Sequence, residues 1–185
     1  MSLRSSILIA TLVFGIIFSL MYIAPIIAAN NEMSRKENCM TVSQIETTLG
    51  FDFKNPAYLP PDYHYQCGRA IKGETLVVYW NQPVKRAELD NAYGESHKGA
   101  IVQFMQSESQ ITNGTAEVLS QYSYILKENP SIKPKLIDLG YGNVAWANDA
   151  GTMPARLRTY FVGYSLNLEG YVPLDELVKM AKSMQ

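Results

Sequence analysis

The chain has 185 residues, with 16 Lys or Arg against 17 Asp or Glu and a formal net charge of −1. That balance argues against nucleic acid as a partner, because such a binder presents a basic face. Twelve tyrosines and two tryptophans suit a β-rich framework, with a sugar-binding surface as the rarer use of the same residues.

The first element is an uncharged run from Ile7 to Ala29, bounded by Arg4 and Glu32. As a helix it is roughly 34 Å long, enough to cross a hydrocarbon core of ~30 Å. We expect a signal anchor over 1–29. A cleaved secretory signal is the alternative. Cleavage after Ala29 or Ala28 puts Ile27 or Ile26 at the position three before the cut, where small residues are the rule, while Pro25 suits either reading. Arg4 before the span and Arg35 and Lys36 after it, offset by Glu32 and Glu37, leave the positive-inside count balanced. Two cysteines and one acceptor sequon, Asn113-Gly114-Thr115, place the long C-terminal part outside the cell. The expected location is the cell membrane, single-pass, or the medium if the segment is cleaved.

After a short linker, 30–40, one domain of ordinary size runs over 41–185. A first helix starts at Thr41: Thr41 and Gln44 have capping-box spacing, Met40 and Ile45 form a hydrophobic staple, and Gly50 ends it. Pro56, Pro60 and Pro61 make 51–62 an extended strap rather than a strand. Strands follow at 65–71 and 75–80, joined by Lys72-Gly73-Glu74; the second is apolar on both faces and so belongs inside the sheet. The polar stretch 81–99 is read as an excursion with a helical turn near 86–93, and 100–106 as a returning strand.

Residues 116–128 form the clearest helix, with Val118, Leu119, Tyr122, Ile125 and Leu126 on one side and Asn129-Pro130 as its stop. Four strands then meander over 135–139, 143–147, 156–161 and 164–169. In the last, Leu166 and Leu168 alternate with Ser165, Asn167 and Glu169, the pattern of a sheet wet on one face. A final helix begins at Pro173, with Asp175 and Glu176 in its first turn, Lys179 and Lys182 near its end, and Leu174, Leu177, Val178 and Ala181 as its apolar face. The expected fold is α+β: one antiparallel twisted sheet with helices packed on one face.

Chemistry is sparse. Cys39 and Cys67 most simply form a disulfide, stabilising by about 3 kcal/mol in the chain-entropy view. The alternatives are free thiols or a copper site using His64 and Cys67, three residues apart in a methionine-rich chain. Arg156 and Arg158 stand two apart on a strand, hence on one face, where they form a candidate grip for a phosphate or carboxylate; a solvated sheet face is the commoner use of such a pair. Asn113 is the glycosylation candidate. No nucleophile elbow, zinc-protease helix, phosphate loop or paired-cysteine motif is present, and His64 and His97 lie in no triad context, so we expect neither enzyme activity nor a cofactor.

Leu49-Gly50-Phe51, then Pro56, Tyr58, Leu59, Pro60 and Pro61, an apolar strand ending in Tyr79, and Leu174-Asp-Glu-Leu-Val-Lys-Met-Ala-Lys-Ser183 together resemble a family of uncharacterised extracytoplasmic domains of prokaryotic membrane proteins. Some members are attached to anti-sigma-factor-like or lipoprotein-like chains. The resemblance spans 41–183 and implies a sensing or binding domain, with no catalytic residues to carry over. The expected role is a membrane-anchored accessory or sensor subunit that binds a protein partner. A small-ligand or lipid carrier is the first rival and predicts an apolar cavity lined by residues such as Phe104, Leu119 and Leu166; a filled core with an exposed apolar patch is the mark of a protein binder. A copper or redox protein is the second rival, and its sign is free thiols.

Overall fold

Gly50, Gly73 and Gly163 end the first helix and turn two of the hairpins with positive φ, so local rules set much of this architecture. The computed structural model describes residues 38–85, 99–149 and 154–185. The span 7–29, the helical turn expected at 86–93 and His97 lie outside the described residues. Among the described residues no helix is long and apolar enough to cross a membrane. Residues Cys39–Gln185 form one unit, so Cys39 and Met40 belong with the domain rather than with the linker.

The elements are α1 (Val42–Leu49), β1 (His64–Ile71), β2 (Glu74–Trp80), β3 (Ile101–Ser107), α2 (Gly114–Glu128), a 3-10 turn (Pro130–Ile132), β4 (Lys135–Gly140), β5 (Asn143–Asn148), β6 (Ala155–Phe161), β7 (Tyr164–Gly170) and α3 (Leu174–Lys182). The seven strands make one antiparallel sheet in the order β1-β2-β3-β7-β6-β5-β4. The α+β class and the strand and helix sequence agree with expectation. The capping box at Thr41 is complete, with its hydroxyl accepting from the Gln44 amide and the Gln44 side chain accepting from the Thr41 amide.

The placement of the helices differs from expectation. Ala145, Ala147, Leu157, Leu166 and Leu168 point to a core shared with Ile45 and Leu49 of α1 and Leu177, Met180 and Ala181 of α3. Val144, Trp146 and Tyr160, at the alternate positions of β5 and β6, point the other way and pack with Val118 of α2 and with Ile111. Helices therefore cover both faces. At the β1–β3 end the second face is closed by Cys39, Cys67, Leu76, Val78, Val84, Ala100 and Val102. This corrects the wet-face reading of β7, since Ser165 and Glu169 are buried under that second layer.

The strap crosses the first core. Phe53 is buried there, the Tyr58 amide donates to Ser183 Oγ at 3.0 Å, and the Tyr58 hydroxyl donates to Glu176 Oε2 at 2.5 Å. Gln103, fully buried on β3, ties strap to sheet: its Nε2 donates to the Lys54 carbonyl at 2.9 Å and its Oε1 accepts from the Tyr79 hydroxyl at 2.8 Å. A Gln103→Leu variant takes this donor from the Lys54 carbonyl and leaves the Tyr79 hydroxyl its long bond to Asn55 Oδ1 at 3.4 Å. We expect it to lose about 1–3 kcal/mol in denaturant unfolding; a change within about 0.5 kcal/mol, the range of an ordinary surface substitution, removes this role.

Burial raises the phenols of Tyr65, Tyr160 and Tyr164 to about 12, and that of Tyr79 well above its ordinary value of 10.0. The fold thus favours the neutral phenol. This contribution to stability is complete below pH 10 and is lost as pH rises from 10 through about 12. Melting temperature should stay level from pH 8 to 9.5 on this account and fall steeply above 10; a level profile up to pH 12 overturns it.

Candidate functional site: the β4 edge and its two apolar flanks

Among the described residues β4 is an edge strand, paired only with β5. Among the described residues its outer backbone makes no ladder, and the one side-chain donor to it from outside the β4–β5 hairpin is Gln185 Nε2, bonded to the Leu139 carbonyl at 2.7 Å. The other edge, β1, is partly covered among the described residues. There the Met40 amide donates to the Gly68 carbonyl of β1 at 2.8 Å, the Tyr65 hydroxyl donates to the Met40 carbonyl, and Cys39 is bonded to Cys67.

On one face of β4, Leu136 lies directly opposite Trp146, which lies opposite Arg158. α2 crosses above β5 and β6 with Gly114, Val118 and Ile125 buried beneath it. Its rotation is set by Asn113, whose side chain caps the Ala116 amide at 3.0 Å, and by Thr115, whose hydroxyl donates to the Gly142 carbonyl at 2.8 Å. Gly142 belongs to the β4–β5 turn, so the Thr115 flank of the helix is turned toward β4. Leu119, Tyr122 and Leu126 follow Thr115 along that flank. Leu119 and Leu126 are each 44% exposed, Ile132 43% and Leu136 42%. They are exposed apolar residues of α2, of the 3-10 turn that follows it and of β4.

On the other face, Ile137 lies in an open groove with Pro173, Leu174 and Val178 of the α3 region, rimmed by Lys135, Asp149 and Asp175. Lys135 is ion-paired with Asp149, and Lys179 on α3 with Glu176 at 2.8 Å and Asp175 at 3.5 Å. The edge therefore has an unpaired backbone and an apolar surface on each side.

Arg156 and Arg158 share a face of β6, as their spacing requires. Each already has a carboxylate. Arg156 Nε sits 2.7 Å from Glu169 Oε2, its cross-strand neighbour, and Arg158 lies over the Tyr160 ring at 5.0 Å with a terminal nitrogen 3.9 Å from Glu108 Oε1. Two positive groups meet two negative ones, so the pair has little charge left to draw an anion. Arg158 Nε and Trp146 Nε1, on directly paired positions, are buried and have no hydrogen-bond partner among the described residues.

Cys39 and Cys67 are joined, with their Cα atoms 4.9 Å apart, and Cys67 is fully buried. Cys67 thus has no thiolate to offer a metal beside His64, which stands exposed at the start of β1; among the described residues no three His, Cys, Asp or Glu side chains gather at one place. Asn113 is exposed, its side-chain oxygen occupied as the cap of α2. Phe104, Leu119 and Leu166 share no cavity: Leu166 is buried in the α1–α3 core, Phe104 faces the opposite side beside the disulfide cluster, and Leu119 is on the outer flank of α2.

The β4 edge was not legible in the sequence, because strand order comes from long-range pairing. A local signal did exist. The α2 stripe of five apolar residues is wider than the narrow face the sheet buries, and its surplus members are Leu119 and Leu126.

No protein-family model matches the chain, and no curated protein matches it. Among solved structures, the crystal structure of a GTP binding regulator from Thermotoga maritima is similar at a TM-score of 0.38 and 12% identity, over 68% of this chain and 80% of that chain. So small a likeness carries neither fold nor ligand across.

Proposed function

We propose that this chain is a membrane-anchored extracytoplasmic domain that binds a protein partner as an accessory or sensor subunit, and that the partner sits on the β4 edge. The observation that carries the reading is the set of exposed apolar residues Leu119, Leu126, Ile132 and Leu136 on α2, the turn after it and β4, an edge strand whose outer side carries no ladder among the described residues. The uncharged run Ile7–Ala29 supports the anchor, and the Cys39–Cys67 bond suits an oxidising compartment. The residues expected to line a carrier cavity are divided between two sides of the sheet and the surface, so the carrier reading has less to stand on.

The test is chemical cross-linking of the full-length chain in its native membrane, followed by intact-mass analysis. Expected is a protein adduct of defined stoichiometry that disappears in the Leu119→Asp/Leu126→Asp variant, whose changes lie on the exposed flank of α2. A chain recovered from the soluble fraction, free of any protein adduct, or carrying only a bound small molecule, sinks the proposal. So does an adduct that both aspartates leave untouched.

A further inference from the structure

We infer that Asn113 is a deamidation site gated by the fold, inert while α2 is docked and converted to aspartate and isoaspartate when its first turn opens. Asn113-Gly114 is the one Asn-Gly pair in the sequence. The reaction is intramolecular. The Gly114 backbone nitrogen attacks Asn113 Cγ, a C–N bond forms, the side-chain nitrogen leaves as ammonia with the proton that Gly114 gives up, and a five-membered succinimide remains. Water then adds to one of the two ring carbonyls and breaks that carbonyl's bond to nitrogen, giving aspartate or, where the chain now runs through the side-chain carbons, isoaspartate. Glycine in the second position leaves the attacking nitrogen unshielded, since it has no Cβ. As the first residue of α2, Gly114 also has an amide proton outside the helix ladder. Asn113 is exposed, so water reaches the ring.

The native geometry forbids the attack. Ring closure needs the Gly114 nitrogen on the same side of the Asn113 Cα–C bond as Cβ, and a ψ of 97° turns it almost to the opposite side. Three contacts hold that angle. The Asn113 side-chain oxygen accepts from the Ala116 amide at 3.0 Å, the Thr115 hydroxyl donates to the Gly142 carbonyl at 2.8 Å, and Gly114 lies so close to β6 that an added Cβ would fall 1.8 Å from the Tyr160 carbonyl oxygen. Turning ψ therefore means lifting the first turn of α2 from the sheet, a local opening rather than a side-chain motion. The two products then diverge. Aspartate caps a helix as well as asparagine and its charge suits the N-terminus, so α2 docks again. Isoaspartate lengthens the main chain by one carbon between the cap and Gly114, so the cap bond and the approach to Tyr160 are not both remade, and the flank of α2 that carries Leu119 is released.

The experiment holds the full-length chain in detergent at mildly alkaline pH, with and without guanidinium, and follows the peptide containing residue 113 by chromatography and mass. Expected in the native protein is a conversion about tenfold slower or more than in the unfolded one, since only the opened fraction reacts. Thr115→Ala keeps the Asn-Gly pair and removes the bond to Gly142; it should speed the native conversion by about threefold or more, the effect of one lost hydrogen bond, and leave the unfolded rate unchanged. Asn113→Ser, whose hydroxyl still caps α2, should abolish the conversion and hold the melting temperature. Asn113→Asp should hold it too, while the isoaspartate fraction of aged protein melts lower. Equal rates in native and unfolded protein, an Asn113 that stays intact when unfolded, or a native rate that Thr115→Ala leaves unmoved overturns the inference. An Asn113 whose side-chain nitrogen carries a glycan has no free amide to lose, and overturns it as well.

Discussion

Cys39→Ala/Cys67→Ala should lower the unfolding free energy by about 3 kcal/mol and the melting temperature by roughly 6–12 °C. The bond closes a loop with a sequence separation of 28, so its removal returns that freedom to the unfolded chain. It also acts on the native side. Cys39 pins the chain entering the domain against β1, where the Met40 amide reaches Gly68, Met40 Sδ accepts from the Ala70 amide at 3.1 Å and Met40 itself is buried. Freed of the bond, that segment should open first, exposing Met40 and the Leu76–Val78–Val102 cluster. The measurement is thermal unfolding with and without reductant. Reductant should lower the wild type to the level of the double variant and leave the variant unmoved; a loss below about 1 kcal/mol, well under the usual cost of removing a native disulfide, rejects this account.

Gly114→Ala should cost about 3 kcal/mol, the upper part of the usual range for overpacking. A Cβ at this position falls 1.8 Å from the Tyr160 carbonyl oxygen and 2.5 Å from its carbon. These are backbone atoms of β6 and cannot swing aside, so the first turn of α2 has to lift from the sheet. Intrinsic propensity pulls the opposite way, since alanine favours a helix interior over glycine by about 1 kcal/mol. Packing decides. Gly68→Ala is the instructive comparison, because there the nearest atoms are the ends of flexible side chains, Ile45 Cδ1 and Tyr65 Oη, each at 2.6 Å. Denaturant unfolding of the two variants should rank Gly114→Ala as the more damaging. A Gly114→Ala protein as stable as wild type, with Trp146 fluorescence unchanged, shows that α2 does not rest on β6 in this way.

Lifting α2 also tests the candidate site. The exposed flank of α2 depends on the helix rotation set by Asn113, Thr115 and the close approach at Gly114. A few ångströms at its N-terminus move Leu119 relative to Leu136. Gly114→Ala should therefore weaken partner binding even under conditions where the domain remains folded.

The elements that follow local rules are those legible from residue types alone. Thr41, Gln44 and Gly50 bracket α1 because a cap needs only neighbours three residues apart and a left-handed stop. The hairpin turns at Gly73, Tyr141-Gly142 and Val162-Gly163 are local in the same sense, and the prolines of the strap deny it a ladder wherever it lies. β2 declared itself as an inner strand by being apolar on both sides, and it is buried along its length. Cys39 and Cys67 were paired by count, being the two cysteines of the chain.

Sequence by itself determined the element order, the α+β class and the apolar residues of each strand. Only the tertiary structure decided which strand became an edge and which face each helix covered. β3 pairs with β7 across more than fifty residues, and that pairing sends β4 to the rim. No local preference encodes such a contact, because its free energy comes from area buried between distant segments. The misreading of β7 has the same origin. Ser165, Asn167 and Glu169 alternate like a solvated face, yet Glu169 is buried, held by Arg156 on the neighbouring strand beneath the layer that α2 and the disulfide cluster build. A helix's apolar stripe says that it must be covered, and only the folded chain says by which side of the sheet.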